Sequence, residues 1–337
     1  MDKNSILKQQ LERLQAEGAL PQKVRDILLD FYESYRAAAG SQFQEKLFST
    51  FLKLTAEQLH SPYIFAPYHQ KIRTPFDYYH FGLDFLRPLI DFPHSEVRHL
   101  SRLNTIQKQL HAGENVILLA NHQTEGDPQV ISILLDPTHP KLAEQIIYVA
   151  GERVVTDPLA IPFSMGCDLL CIYSKRYIDH PPEEKEEKLH HNRRTLDQMR
   201  QLLQEGGKII YVAPSGGRDR KNSQGDIEVA PFDPNSVELF YLMAQKAQKP
   251  THFYPLALST YNLLPPPDAI QRELGEVRRA HHTPVAISFG KECDMEQFPG
   301  SDSLDKKQRR ALRTDAVWQQ VCDEYRVIEK KEHDHSE

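Results

Sequence analysis

Six short apolar runs constrain this chain most: NVILLA (115–120), IIYVAG (146–151), LLCIY (169–173), KIIYVAP (208–214), HFYPLAL (252–258) and PVAISFG (284–290). Each has strand length. Most are apolar throughout rather than at every second position, as strands covered on both faces require. Helical segments alternate with them: PQVISILL (128–135), RRTLDQMRQLLQEG (193–206) and NSVELFYLMAQKAQ (235–248), with DKKQRRALRTDAVWQQVCDEYRVI (305–328) as a closing helix. Alternation of this kind predicts an α/β layer structure. EKKEHDHSE (329–337) reads as a frayed tail.

The first sixty residues differ. Leu7, Leu11 and Leu14 form one stripe ending at Gly18. Val24, Leu28, Phe31 and Tyr35 form a second ending at Gly40, and Phe43, Leu47, Phe51 and Leu54 a third. Ser41 and Gln44 stand in capping-box register for the third helix. The expected fold is α/β: an N-terminal helical bundle over 1–72, then a larger α/β domain over 73–337 with a central mixed sheet covered by helices.

Composition narrows the function. A net charge of -6 argues against general nucleic-acid binding. No apolar stretch reaches the roughly 18–20 residues of a membrane span, and the N-terminus has no long apolar segment of a secretory signal. The four cysteines, at 167, 171, 293 and 322, fit no common zinc spacing and read as reduced thiols.

Three strand ends carry chemistry. After NVILLA comes NHQTEGDP, with His122 just past the strand and Asp127-Pro128 shaped like a helix start, Asp127 as N-cap. A tight turn through Gly126 folds the carboxylate back onto the imidazole. The carboxylate fixes the tautomer and leaves the second ring nitrogen as a base. After KIIYVAP comes SGGRDR, where two glycines expose backbone N–H groups and Arg218 and Arg220 offer fork-shaped donors to phosphate, with Asp219 placed to orient them. After LLCIY come Lys175, Arg176 and Tyr177. One base and several cations at strand carboxyl ends suit activation of a hydroxyl on a phosphorylated small molecule. The proline run of LLPPPD (263–268) is stiff punctuation, or a pocket wall.

The chain resembles the soluble, plastid-type glycerol-3-phosphate 1-O-acyltransferases and their bacterial relatives. KIRTPFDYYHFGLDFLRPLIDF, NHQTEGDP, GERVVTDPLAIPFSMG, YSK, APSGGRDR and LLPPP carry the resemblance in order, over nearly the whole chain. It implies that His122 is the catalytic base, Asp127 its partner, and Arg218 and Arg220 the holders of glycerol 3-phosphate. The family usually has Lys-Lys-His after Tyr-Ser. Here Arg176 keeps the cation and Tyr177 offers one neutral hydrogen bond in the phosphate pocket.

The implied reaction is acylation of the sn-1 hydroxyl from acyl-acyl carrier protein, or acyl-CoA, giving lysophosphatidate with no metal or redox cofactor. An acidic carrier needs a basic patch, for which Lys185, Lys188, Arg193 and Arg194 are the candidates. No transmembrane segment and no nucleic-acid partner are expected, with at most peripheral membrane contact. The compartment is bacterial cytoplasm or plastid stroma. An sn-2 lysophosphatidate acyltransferase and a non-catalytic phosphometabolite-binding protein are the alternatives.

Overall fold

Alternate residues of the central strands enter two different cores. In the computed structural model, which describes residues 4–16, 18, 20–174, 178–267, 276–303 and 305–334, the strands are β1 (Tyr68–His69), β2 (Glu96–Arg98), β3 (Asn115–Ala120), β4 (Ile146–Gly151), β5 (Asp168–Ile172), β6 (Ile209–Val212), β7 (Arg220–Lys221), β8 (Ile227–Glu228), β9 (Thr251–Ser259) and β10 (Ala286–Phe289). Val116, Leu118, Tyr148, Ala150 and Tyr211 face one core. Ile117, Leu119, Ile147 and Ile210 face the other. Both faces being apolar, β3 is buried at all six positions, as its unbroken run predicts.

Eight strands form one mixed sheet in the order β1-β5-β4-β6-β3-β9-β10-β2. The five from β5 to β9 run parallel. β1 and β10 are antiparallel to their inner neighbours β5 and β9, and β2 is parallel to β10. β7 and β8 pair separately. β6 and β9 flank β3 on opposite sides, so the carboxyl ends of all three open on one edge, where open α/β sheets bind ligands.

The helices of the N-terminal half are α1 (Asn4–Ala16), α2 (Gln22–Ala39), α3 (Glu45–His60), α4 (Tyr78–Leu86), α5 (Leu100–His111), α6 (Asp127–Leu135), α7 (Pro140–Gln145), α8 (Glu152–Thr156) and α9 (Ile161–Ser164). α10 (Lys185–Glu205), α11 (Pro234–Lys246) and α12 (Lys306–Asp334) follow. α10, α11 and α12 cover one face of the sheet. On the other face, the N-terminal helices merge with the layer over the sheet through aromatic rings. Tyr35 of α2 stacks on Phe85 of α4 at 4.5 Å, and Phe51 of α3 meets Phe163 of α9 at 5.6 Å. The Tyr35 hydroxyl donates to the Phe85 carbonyl at 2.8 Å.

Several expectations change. Ser41 lies in a 3₁₀ turn after Gly40, and α3 begins at Glu45 with Gln44 as an N-cap that makes no side-chain bond, so no capping box forms. The break at Gly40, whose φ is 52°, displaces the helix start beyond the reach of Ser41. α12 continues to Asp334, past the expected fraying point, because 329–334 contains helix formers and neither Gly nor Pro. α10 starts at Lys185, inside the charged stretch before the expected run. β1, β2, β7 and β8 have two or three residues each, too few to show a period.

Candidate active site

The turn after β3 is built around one carboxylate. Asp127 is fully buried and accepts from five donors. His122 Nδ1 lies 2.7 Å and the Gln123 N–H 2.9 Å from Oδ2. The Thr124 N–H (3.2 Å), the Thr124 hydroxyl (3.3 Å) and the Thr260 hydroxyl (2.6 Å) reach Oδ1. Asp127 is therefore not the N-cap expected above. Gly126 takes that position, and Asp127 opens α6 with its side chain turned back onto the loop. That reversal is what brings residues five apart together. With Nδ1 occupied by the carboxylate, Nε2 is the nitrogen left for proton transfer. The imidazole itself is partly exposed, at 27%.

Arg218 and Arg220 leave the end of β6 for the same edge. Arg218 Nη2 meets the buried carboxylate of Glu276 at 2.6 and 2.8 Å, and Arg220 Nη1 donates to the Pro267 carbonyl at 2.7 Å. Burial, and then the like charge of Arg218, push the Arg220 pKa below its ordinary value. An anion bound beside two such guanidiniums would relieve that repulsion. Arg153 reaches the same Glu276 at 3.3 Å. Neither Arg153 nor Glu276 was legible as part of this cluster, since they lie far from SGGRDR in sequence. Arg176 and Tyr177, the other two expected phosphate contacts, lie outside the described residues, as does Lys175.

Beside His122 opens a largely apolar hollow of about 920 Å³, its mouth included. Phe31 from the N-terminal bundle, Phe85, Tyr148, Ala150, Phe163 and Leu264 help to wall it. Leu264 belongs to the proline-rich segment, which thus serves as pocket wall and, through Pro267, as a partner of Arg220. At the inner rim, Arg278 donates to both oxygens of Glu125 and to Asp157 at 3.3 Å. Burial opposes its charge, but Glu125 and Asp157 outweigh it and hold the Arg278 pKa above the ordinary value.

Comparison with known proteins matches residues 101–259 to the acyltransferase family model. A chloroplastic glycerol-3-phosphate acyltransferase of Cucurbita moschata is 38% identical over 319 residues, 92% of this chain and 69% of that protein. The corresponding chloroplastic enzyme of Carthamus tinctorius is 36% identical over 332 residues, 96% and 72% of the two chains. That of Arabidopsis thaliana is 35% identical over 319 residues, 92% and 69%. The chain belongs to the glycerol-3-phosphate acyltransferase family.

In this family member a second buried carboxylate ties the two loops together. Asp219, fully buried between Arg218 and Arg220, does not contact either arginine in the way its position in the sequence suggested. Its Oδ2 accepts from Asn121 Nδ2 (2.8 Å) and Gln123 Nε2 (3.2 Å), and its Oδ1 from the Ala230 N–H (2.9 Å). Asn121 and Gln123 in turn bond the backbone of β9 and the residues after it, at Leu258, Thr260 and Tyr261.

Burial raises the Asp219 carboxyl from 3.8 to about 6, although these donors lower it. A carboxyl whose folded pKa exceeds its unfolded value takes up a proton on folding between the two. This group alone therefore favours the fold as pH falls from about 6 to about 4, by on the order of 2–3 kcal/mol. Thermal melts across that window should show the Tm of wild type rising relative to Asp219→Asn as the pH is lowered. A difference independent of pH would contradict the raised pKa.

The candidate carrier patch does not survive as a unit. Lys188 is buried, donates to the His180 carbonyl at 2.6 Å, and pairs with Glu152 and Glu184. Its amphipathic position on α10 turns it inward, so it offers no charge to a partner. Lys185 pairs with Asp179 at 2.8 Å. Arg193 and Arg194 are exposed. Among the described residues no helix is long and apolar enough to cross a membrane.

Proposed function

We propose that His122 and Asp127 drive acyl transfer from a thioester to the C1 hydroxyl of glycerol 3-phosphate. The observation that carries this reading is the imidazole held at Nδ1 by a buried carboxylate, at the mouth of an apolar hollow and on the same sheet edge as the arginine loop. His122 Nε2 takes the hydroxyl proton. The oxygen attacks the thioester carbonyl, a C–O bond forms and the C–S bond breaks. The imidazolium then protonates the leaving thiolate. General-base assistance of this kind contributes roughly 10²–10⁴-fold.

Arg218 and Arg220 hold the phosphate, and the resemblance adds Arg176 and Tyr177 to them. The hollow takes the acyl chain, with Phe31 as the contribution of the 1–72 helical unit. Acylation at position 1 follows from the resemblance to 1-O-acyltransferases. Acyl-acyl carrier protein is the preferred donor and acyl-CoA the alternative. The chloroplastic relatives support a plastid-type setting.

Thiol release from each donor, with and without glycerol 3-phosphate, tests the reaction, and the acyl position in the product tests its regiochemistry. Release that does not depend on glycerol 3-phosphate would sink the proposal. Ala150 lines the hollow, so Ala150→Leu should lower turnover of long-chain donors at least about tenfold relative to short-chain ones, as overpacking of 1–3 kcal/mol implies. Equal loss with both would place the chain elsewhere.

A further inference from the structure

The mechanism above gives the fully buried Asp219 no task. The Asp219 side chain bonds neither the His122 imidazole nor the phosphate arginines, yet it binds the residues beside His122. In sequence it lies between Arg218 and Arg220, so its backbone moves with theirs. Its carboxylate is gripped by Asn121 and Gln123, the residues on either side of His122. Its own N–H donates to the His122 carbonyl at 2.7 Å. The Tyr211 hydroxyl, from the strand that carries the arginine loop, donates to the Asn121 carbonyl at 2.9 Å. Every one of these contacts joins β6 or its loop to the β3 loop, and three of them link Asp219 to the tripeptide Asn121-His122-Gln123.

We infer that Asp219 is a positioning residue that transmits occupation of the arginine loop by phosphate to the alignment of His122. This rests on the proposed roles of His122, Arg218 and Arg220. Phosphate binding draws Arg218 and Arg220 together, and Asp219, held between them, shifts with them. Its three direct links to 121–123 carry the displacement to the imidazole. Binding energy from the non-reacting end of the substrate is then used at the reacting end.

The acceptor supplied in two pieces tests this. With acyl-CoA as donor and glycerol as acceptor, saturating inorganic phosphate should raise thiol release by the wild-type chain at least about tenfold. Asp219→Asn turns an amide toward donors that need an acceptor. It should still bind inorganic phosphate, by calorimetry, within about threefold of wild type. Its activation of glycerol turnover should fall below about twofold, and its kcat with glycerol 3-phosphate should drop at least about tenfold. Retained activation in Asp219→Asn overturns the inference. So does a wild-type enzyme that binds phosphate without being activated. A variant that loses phosphate affinity but keeps kcat overturns it too, because Asp219 would then serve the arginine loop alone.

Should Asp219→Asn fail to fold, the wild-type chain still decides. The Nδ1–H proton resonance of His122, assigned by its loss in His122→Ala, must move when inorganic phosphate is added. An unmoved resonance at saturation sinks the coupling. If instead Arg218→Ala binds inorganic phosphate as wild type does, the placement of the phosphate is what fails.

Discussion

His122→Ala is expected to lower kcat by roughly 10²–10⁴-fold, while the protein stays folded and still binds glycerol 3-phosphate. The imidazole is partly exposed, and its ring bonds only one side chain among those described above, Asp127, so its removal leaves a small gap at a solvent-facing edge. Steady-state kinetics beside a thermal melt check this. Near-normal kcat in His122→Ala removes the base from the mechanism.

Asp127→Asn should behave differently from a simple loss of orientation. Five donors converge on the Asp127 carboxylate. An amide keeps one oxygen for them and turns an NH2 against the rest. The expected result is a fall in kcat larger than any rise in KM, with a stability loss of about 1–3 kcal/mol from unsatisfied buried donors. The tautomer loses its anchor at the same time, which is why kcat carries most of the change.

The second large effect belongs to the arginines. Each charge-assisted hydrogen bond to phosphate contributes about 1.5–3 kcal/mol. Arg218→Ala and Arg220→Ala should therefore each raise KM for glycerol 3-phosphate roughly ten- to a hundred-fold, with a smaller effect on the acyl-donor KM. Arg218→Ala carries an added consequence, because it strips the buried Glu276 of its shortest contact. Arg153 remains at 3.3 Å to compensate part of that charge. Among the described residues, Arg220→Ala leaves the Pro267 carbonyl without its donor. Inorganic phosphate as a competitive inhibitor gives an independent measure: its inhibition constant should rise in parallel with KM. Unchanged KM in both variants moves the phosphate off this loop.

Sheet order was not legible, though most of its strands were. The runs 115–120 and 146–151 match β3 and β4 at both ends, because a strand buried on two faces reads as a near-continuous apolar run. The short edge strands leave no such trace. Asp127 shows the same division on a smaller scale. Its pairing with His122 could be read from a Gly-containing turn between a strand and a helix. The cap assignment could not, since Asp-Pro at a helix start looks the same whether the carboxylate faces the helix or the preceding loop. Thr260, whose hydroxyl arrives from the end of β9 more than a hundred residues later in the chain, joins the loop's own donors in holding the carboxylate toward the loop.

Lys188 and Asp219 mark the limit in opposite ways. Among charged neighbours Lys188 reads as surface, and it is buried because His180, Glu152 and Glu184 close around it. Asp219 reads as a companion of the arginines, and it is the tie between two loops. Local sequence determined what depends on spacing along one element: the strands, the helical stripes, the imidazole beside its carboxylate, and the cations at a strand end. Tertiary structure decided what depends on elements far apart in the chain meeting at one sheet edge: which carboxylate pairs with which cation, which groups lose water, and that Phe31 of the N-terminal bundle walls the pocket beside His122. Periodicity records which face of an element is buried, but the identity of what lies against that face is set only when the strands take their order.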